Sequence, residues 1–108
     1  MLSATNLFKP INIGHLTLPN RIIMGSMHTG RDHSDDPFKR LAAFYKERAE
    51  GGVSLIVTGG VSPNEEGLIS PGSMLLTHPE QIEEYKIMTD AGHASGINIL
   101  MQIFRAGR

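Results

Sequence analysis

Apolar positions change their period several times along this chain, and each change marks an element. Over residues 8–18 the segment FKPINIGHLTL alternates apolar with other residues on both sides of Gly14 and His15, the pattern of a short β-hairpin with glycine at its turn. After Pro19 and Asn20, the residues Ile22, Ile23 and Met24 are apolar on consecutive positions, as a strand buried on both faces requires. The loop GRDHSDD follows, and Asp36 and Pro37 then stand as N-cap and first helical residue of FKRLAAFYKERAEGG. In that segment Leu41, Phe44, Tyr45 and Ala49 form one helical stripe, Lys39, Arg40, Lys46, Glu47 and Glu50 lie mostly off it, and Gly51 and Gly52 stop it. The β-branched run VSLIVTGG, ended by two glycines, predicts a second core strand over 53–60.

The connection VSPNEEGLISPGSMLLTH exceeds an ordinary strand-to-helix loop, which marks it as functional rather than filler. Pro79 opens a second helix with Ile82, Tyr85, Met88 and Thr89 on its inner face, and Gly96 terminates it. INILMQIF is a third buried strand, interrupted by the polar Gln102. The order hairpin, β, α, β, α, β implies right-handed crossovers and a parallel sheet, in a doubly wound sheet or a (β/α)8 barrel. Neither a G-x-G-x-x-G turn nor a P-loop is present to favour the first, and a leading hairpin suits a plug across a barrel floor. A barrel takes about 250 residues and eight strands. The 108 residues stop just after the third strand. The expected fold is therefore α/β, the N-terminal portion of a (β/α)8 TIM barrel with a leading β-hairpin, one partial domain over 1–108.

Charge and composition narrow the partners. Ten Lys and Arg against eleven Asp and Glu leave a net charge of −1 with no block of like charge, which argues against nucleic acid and anionic membrane. No apolar run approaches the roughly 18 residues of a membrane span, and MLSATNLFKP lacks the basic and apolar regions of a signal peptide. Without cysteine there is no disulfide, no cysteine-ligated cluster and no thiol nucleophile. A soluble, cytoplasmic chain is expected.

In a barrel the chemistry gathers at the C-terminal ends of the strands, here residues 25–29, 58–61 and 102–108. The first two are depleted of bulk, so that a flat ligand can approach the backbone. Gln102 offers a donor and an acceptor at fixed separation, suited to a uracil-type ring edge; the alternative is an amide satisfied by neighbouring backbone. His28 by itself reads as a solvated loop histidine. The loop residues Asp32, His33, Asp35 and Asp36 are crowded without a defined ligand spacing, and Asp36 is better employed as a cap, so no metal site is expected. Met74, Leu75 and Leu76 form either a substrate-side wall or packing beneath the long loop. Lys86 and His93 read as solvent-facing.

The stretches LFKPINIGHLTLPNRIIMGSMHTG, RLAAFYKERAEGGVSLIVTGGVSP and MQIFRAGR, in that order, resemble the start of the FMN-binding barrel of the old yellow enzyme (NADH:flavin oxidoreductase) family. More narrowly, they resemble its 2,4-dienoyl-CoA reductase and enoate reductase branch. The resemblance implies that Ser26, Met27 and His28 are the first-strand flavin contact, that Gly59 or Gly60 is the small residue at the second strand end, and that Gln102 pairs with the flavin pyrimidine. It implies FMN as cofactor, NAD(P)H as electron donor and an enone or enoyl-CoA as substrate, with hydride passing from nicotinamide to flavin N5 and on to the β-carbon of an activated C=C bond. The family's catalytic groups lie on later strands, so none falls within these residues; oligomers are possible. Arg105 stands where that branch commonly has histidine in Q-x-x-H-x-G-R, and an arginine there could contact a phosphate or substrate carboxylate. The alternative is a truncated half-barrel without activity of its own, which self-associates or is completed by a partner through its open third strand.

Overall fold

In the computed structural model, which describes residues 5–107, strands β1 (Ile11–Ile13) and β2 (Leu16–Leu18) pair antiparallel, with Ile13 opposite Leu16. Gly14 and His15 make the two-residue turn. Only the first of them has positive φ, +58°, the arrangement of a II′ turn, whose twist matches that of the strands. The hairpin leads into a three-stranded parallel sheet of β3 (Ile23–Met24), β4 (Leu55–Val61) and β5 (Asn98–Ile103), side by side in chain order. Helix α1 (Pro37–Glu50) connects β3 to β4, and α2 (Ile82–Ala94) connects β4 to β5.

Both helices cover one face of the sheet. Met24, Ile56, Ile99 and Met101 turn toward them and meet Leu41, Tyr45 and Ala49 of α1 and Tyr85 and Met88 of α2. Val61, at the end of β4, joins the same cluster. On the opposite face Ile23 and Leu100 are exposed, while Leu18 and Leu55 are buried outside the helix-side cluster. The entry to β3 is stapled to β4 by polar groups: the Asn20 side chain donates to the Gly52 carbonyl at 2.8 Å, and the fully buried Ser54 hydroxyl donates to the carbonyls of Asn20 and Ile22, each at 3.0 Å. Among the described residues no helix is long and apolar enough to cross a membrane.

The sheet departs from a regular ladder at one place. Val57 pairs with Leu100, but the next partners are Gly60 and Gln102, so β4 carries one residue more than β5 across this interval. This bulge is centred on Thr58 and Gly59. The connection after β4 also returns to the sheet: Ser62 bridges Leu75, and the Tyr85 hydroxyl donates to the Leu75 carbonyl at 2.8 Å. Met74 and Leu76 pack against the cluster, which places them under the loop.

Local expectations need three corrections. Asp36 and Pro37 take the expected N-cap and N1 positions and the Asp36 carbonyl accepts the Arg40 N–H, but the Asp36 side chain makes no capping bond and its carboxylate lies 3.6 Å from the Lys39 ammonium. Pro79 opens a 3-10 turn, Pro79–Gln81, and α2 proper starts at Ile82, because the Gln81 side-chain oxygen accepts the backbone N–H groups of Thr77 and His78 and tightens this turn. Ile82 is exposed, and the inner face of α2 is Tyr85, Met88 and Gly92.

Burial, with a smaller contribution from the Glu84 charge, pushes the Tyr85 phenol up to about 12. A phenol that stays neutral in the folded chain while it ionises near 10 in the unfolded chain leaves stability intact below pH 10 and lowers it between pH 10 and 12. Urea unfolding at pH 9 and 11.5 should show that loss, at about 1.4 kcal/mol per tenfold change in ionisation, and Tyr85→Phe should remove part of it. An identical pH dependence in the variant would rule Tyr85 out as its source.

Candidate functional site at the strand ends

The bulge is held by side chains that take over from the ladder. The Gln102 backbone N–H donates to Thr58 Oγ1 at 3.2 Å, Thr58 Oγ1 donates to the Gly59 carbonyl at 2.9 Å, and the Gly59 N–H donates to the Tyr45 phenol oxygen at 3.3 Å. Such bulges re-aim the side chains around them. Gln102 emerges on the face away from the helices, on the same side as Leu100, and is exposed. There the Ser26 hydroxyl donates to Gln102 Oε1 at 2.6 Å, joining residues 76 positions apart.

Ser26, Gly59, Gly60 and Gln102 thus converge at the C-terminal end of the sheet, as the sequence led us to expect. The reason for the glycines is different. A Cβ on Gly59 would stand 2.8 Å from the Met27 carbonyl oxygen, and one on Gly60 would stand 2.9 Å from Phe104 Cβ. Neighbouring chain, and not only access for a ligand, demands glycine at both places. Met27 is exposed beside them. Arg105 runs its stem over Gly67, where a Cβ would meet Arg105 Cγ at 2.6 Å, and its guanidinium stands 3.5 Å from the Glu66 carboxylate.

His28 turns away from this pair and toward the first loop. Gly30, with φ +77°, reverses the chain into the 3-10 turn Arg31–His33, which brings Asp32 back beneath His28. One carboxylate oxygen, Asp32 Oδ1, lies 3.8 Å from His28 Nε2, and the other lies 3.8 Å from His33 Nε2. The Asp32 side chain is only 7% exposed, and its Oδ1 has no hydrogen-bond partner. A cleft of about 320 Å³, counting the space open to solvent, reaches from His28 and Asp32 past Tyr45 to Thr58, Gly59 and Met74. Burial pushes the Tyr45 phenol up; the Gly59 N–H opposes that shift, and the Asp32 charge adds to it. Sequence reasoning had separated His28 from Asp32 and His33. The spacing H-x-x-x-D-H, with glycine between, was the available signal.

Residues that suit a flavin can be judged from the donor set alone. The imide edge of an isoalloxazine presents an N–H between two carbonyls, and a paired carboxamide and hydroxyl at the end of a parallel sheet supply matching acceptors and donors. Ser26 and Gln102 fit that edge.

Comparison with known proteins agrees with this architecture. Residues 6–108 match the family model described as NADH:flavin oxidoreductase / NADH oxidase family. The chain is 39% identical over 102 residues to a metal reductase of Desulforamulus reducens, covering 94% of this chain and 15% of that protein. It is 35% identical over 109 residues to an NADPH dehydrogenase of Bacillus subtilis, covering 97% and 32%. The solved old yellow enzyme homologue from Zymomonas mobilis superposes with a TM-score of 0.80 at 32% identity, over 95% of this chain and 29% of that one. The chain thus spans less than a third of the length of each of these three proteins, and its fold is the N-terminal portion of their (β/α)8 barrel. By the match to its family model over nearly all its residues, the chain belongs to the NADH:flavin oxidoreductase / NADH oxidase family.

Proposed function

We propose that this chain supplies the pyrimidine-edge side of an FMN site in a flavin-dependent NAD(P)H oxidoreductase that reduces the activated C=C bond of an enone or enoyl-CoA. The observation that carries the reading is the hydrogen bond from Ser26 to Gln102, which holds a carboxamide in a fixed orientation at the strand ends. FMN, when bound, supplies the hydride chemistry. Gln102 would bind and orient its pyrimidine edge, with Ser26 fixing which end of the amide accepts. Met27, Gly59 and Gly60 would form the floor on which the ring lies, and His28 would close its first-loop side. The order of the GSMHTG, VTGG and QIFRAGR segments supports placement in the 2,4-dienoyl-CoA reductase and enoate reductase branch, from whose third-strand pattern Arg105 departs.

Gln102→Ala tests this in a protein that joins these residues to the remainder of a barrel. Loss of partners for a buried imide costs about 1–3 kcal/mol, so the FMN dissociation constant in a fluorescence titration should rise roughly 5- to 150-fold. An unchanged constant would remove Gln102 from the site. The 108 residues alone should bind FMN weakly and oxidise no NAD(P)H, since barrel phosphate sites follow strands 7 and 8.

A further inference from the structure

We infer that His28, Asp32 and His33 form a binding site for a divalent first-row transition ion of the zinc type, independent of the flavin reading. The starting point is a carboxylate oxygen in the wrong surroundings. Asp32 Oδ1 is buried and has no donor. The His28 imidazole nitrogen stands 3.8 Å from it, beyond the roughly 3.2 Å limit of a hydrogen bond. Buried polar oxygens are almost always partnered, and an unpaired charge is costlier still. A single cation between the three side chains would satisfy Asp32 and both imidazoles together.

The geometry suits that ion. The ligand atoms of His28, Asp32 and His33 all lie within 4.8 Å of one another. Zinc bonds nitrogen and oxygen at about 2.0–2.2 Å, which sets two ligands of one tetrahedral ion about 3.4 Å apart. One carboxylate oxygen is within half an ångström of that separation from the His28 ring, and the other is equally near it from the His33 ring. Both histidines are partly exposed and can rotate inward, while Asp32 is anchored. The two rings stand edge to face at 70°, converging and not stacked. The turn itself is held from outside: the Arg31 guanidinium lies 4.4 Å over the Phe44 ring of α1, and Gly72 of the second loop admits His33 Nδ1 where a Cβ would come within 2.9 Å. Two imidazoles and one carboxylate select zinc, cobalt, nickel, copper or iron over magnesium and calcium, which take oxygen sets. With three protein ligands, one tetrahedral position stays open.

The test is calorimetric titration of the whole chain, stripped with chelator, against Zn2+, with Co2+ absorption as a report on the coordination sphere. One Zn2+ per chain is expected. Loss of supporting partners around a metal already costs 10- to 100-fold in affinity, so losing a ligand in Asp32→Asn or His33→Ala should cost at least about 100-fold and abolish the Co2+ spectrum. Zn2+ should also raise the melting temperature of the parent chain and leave that of His33→Ala unmoved. His93→Ala, on the exposed face of α2, should bind as the parent does. Because Asp32 is buried, His33→Ala with an unchanged far-ultraviolet circular dichroism spectrum carries the decision if Asp32→Asn unfolds. Absence of saturable Zn2+ binding, or equal binding by the parent and by the His28→Ala, His33→Ala double variant, would overturn the site.

Discussion

Tyr45→Ala should lower the free energy of unfolding by about 3–5 kcal/mol, the range found when a large aromatic is truncated in a closed core. Tyr45 is only 1% exposed, heads the largest fully buried side chains and sits between α1, β4 and α2 in the main cluster. Its ring meets Phe44 edge to face at 6.0 Å, and its phenol oxygen accepts the Gly59 N–H at the bulge. Native proteins are stable by only about 5–15 kcal/mol, so a loss of this size is a large part of such a margin. Tyr45→Phe keeps the volume and deletes only the acceptor. It should cost about 1–3 kcal/mol, the range for leaving a partly buried donor unpaired. Urea unfolding of both variants separates packing from the hydrogen bond: a Tyr45→Ala loss no greater than that of Tyr45→Phe would show that the ring contributes nothing beyond its hydroxyl.

Gly59→Val should cost about 3 kcal/mol, near the top of the range for overpacking. The obstacle is the Met27 carbonyl oxygen, 2.8 Å from where a Cβ would be, and a backbone atom cannot swing aside. Relief requires the chain after β3 to move away from β4, which carries Ser26 away from Gln102. Gly60→Ala is the informative contrast. Its Cβ would stand 2.9 Å from Phe104 Cβ, which side-chain rotation leaves in place, so the chain just beyond β5 has to shift; that segment is exposed and the added group is a single methyl, so the cost should be about 1–2 kcal/mol. Thermal unfolding of the two variants checks the order. If Gly60→Ala proves the more damaging, Phe104 is the stiffer neighbour and the account of the strand ends is wrong.

What could be read from the residues was whatever repeats with a period. Apolar runs over residues 22–24 and 99–101 pointed to parallel strands, and the stripe of Leu41, Tyr45 and Ala49 to a helix lying on them, and these features stand in the structure. Burial of those strands on both faces does not: only the face toward the helices is covered, and Ile23 and Leu100 are exposed on the other. Convergence of Ser26, Gly59, Gly60 and Gln102 followed from the rule that parallel strands end together. The bulge could not be read, since it is a count of β4 residues against a partner some forty positions away. The grouping of His28 with Asp32 and His33 had a weak signal in the spacing H-x-x-x-D-H, but it depends on the positive φ of Gly30 folding the loop back on itself. Asp36 holds the N-cap position expected of it, but its carboxylate lies beside the Lys39 ammonium and makes no bond to the first-turn N–H groups, a choice that residue type and position do not settle.

The extra residue in β4 also sets a phase. Side chains alternate along a strand, so Ile56 and Val61, an odd number of positions apart, ought to point to opposite faces. Both lie in the helix-side cluster, because the bulge between them shifts the alternation by one step. Deleting one residue there would do more than straighten the strand. It would turn Val61 out of the core and invert the facing of everything that follows until the chain leaves the sheet. This interval therefore behaves like a reading frame, in which the number of residues matters as much as their identity, and single insertions or deletions are tolerated far less well than substitutions.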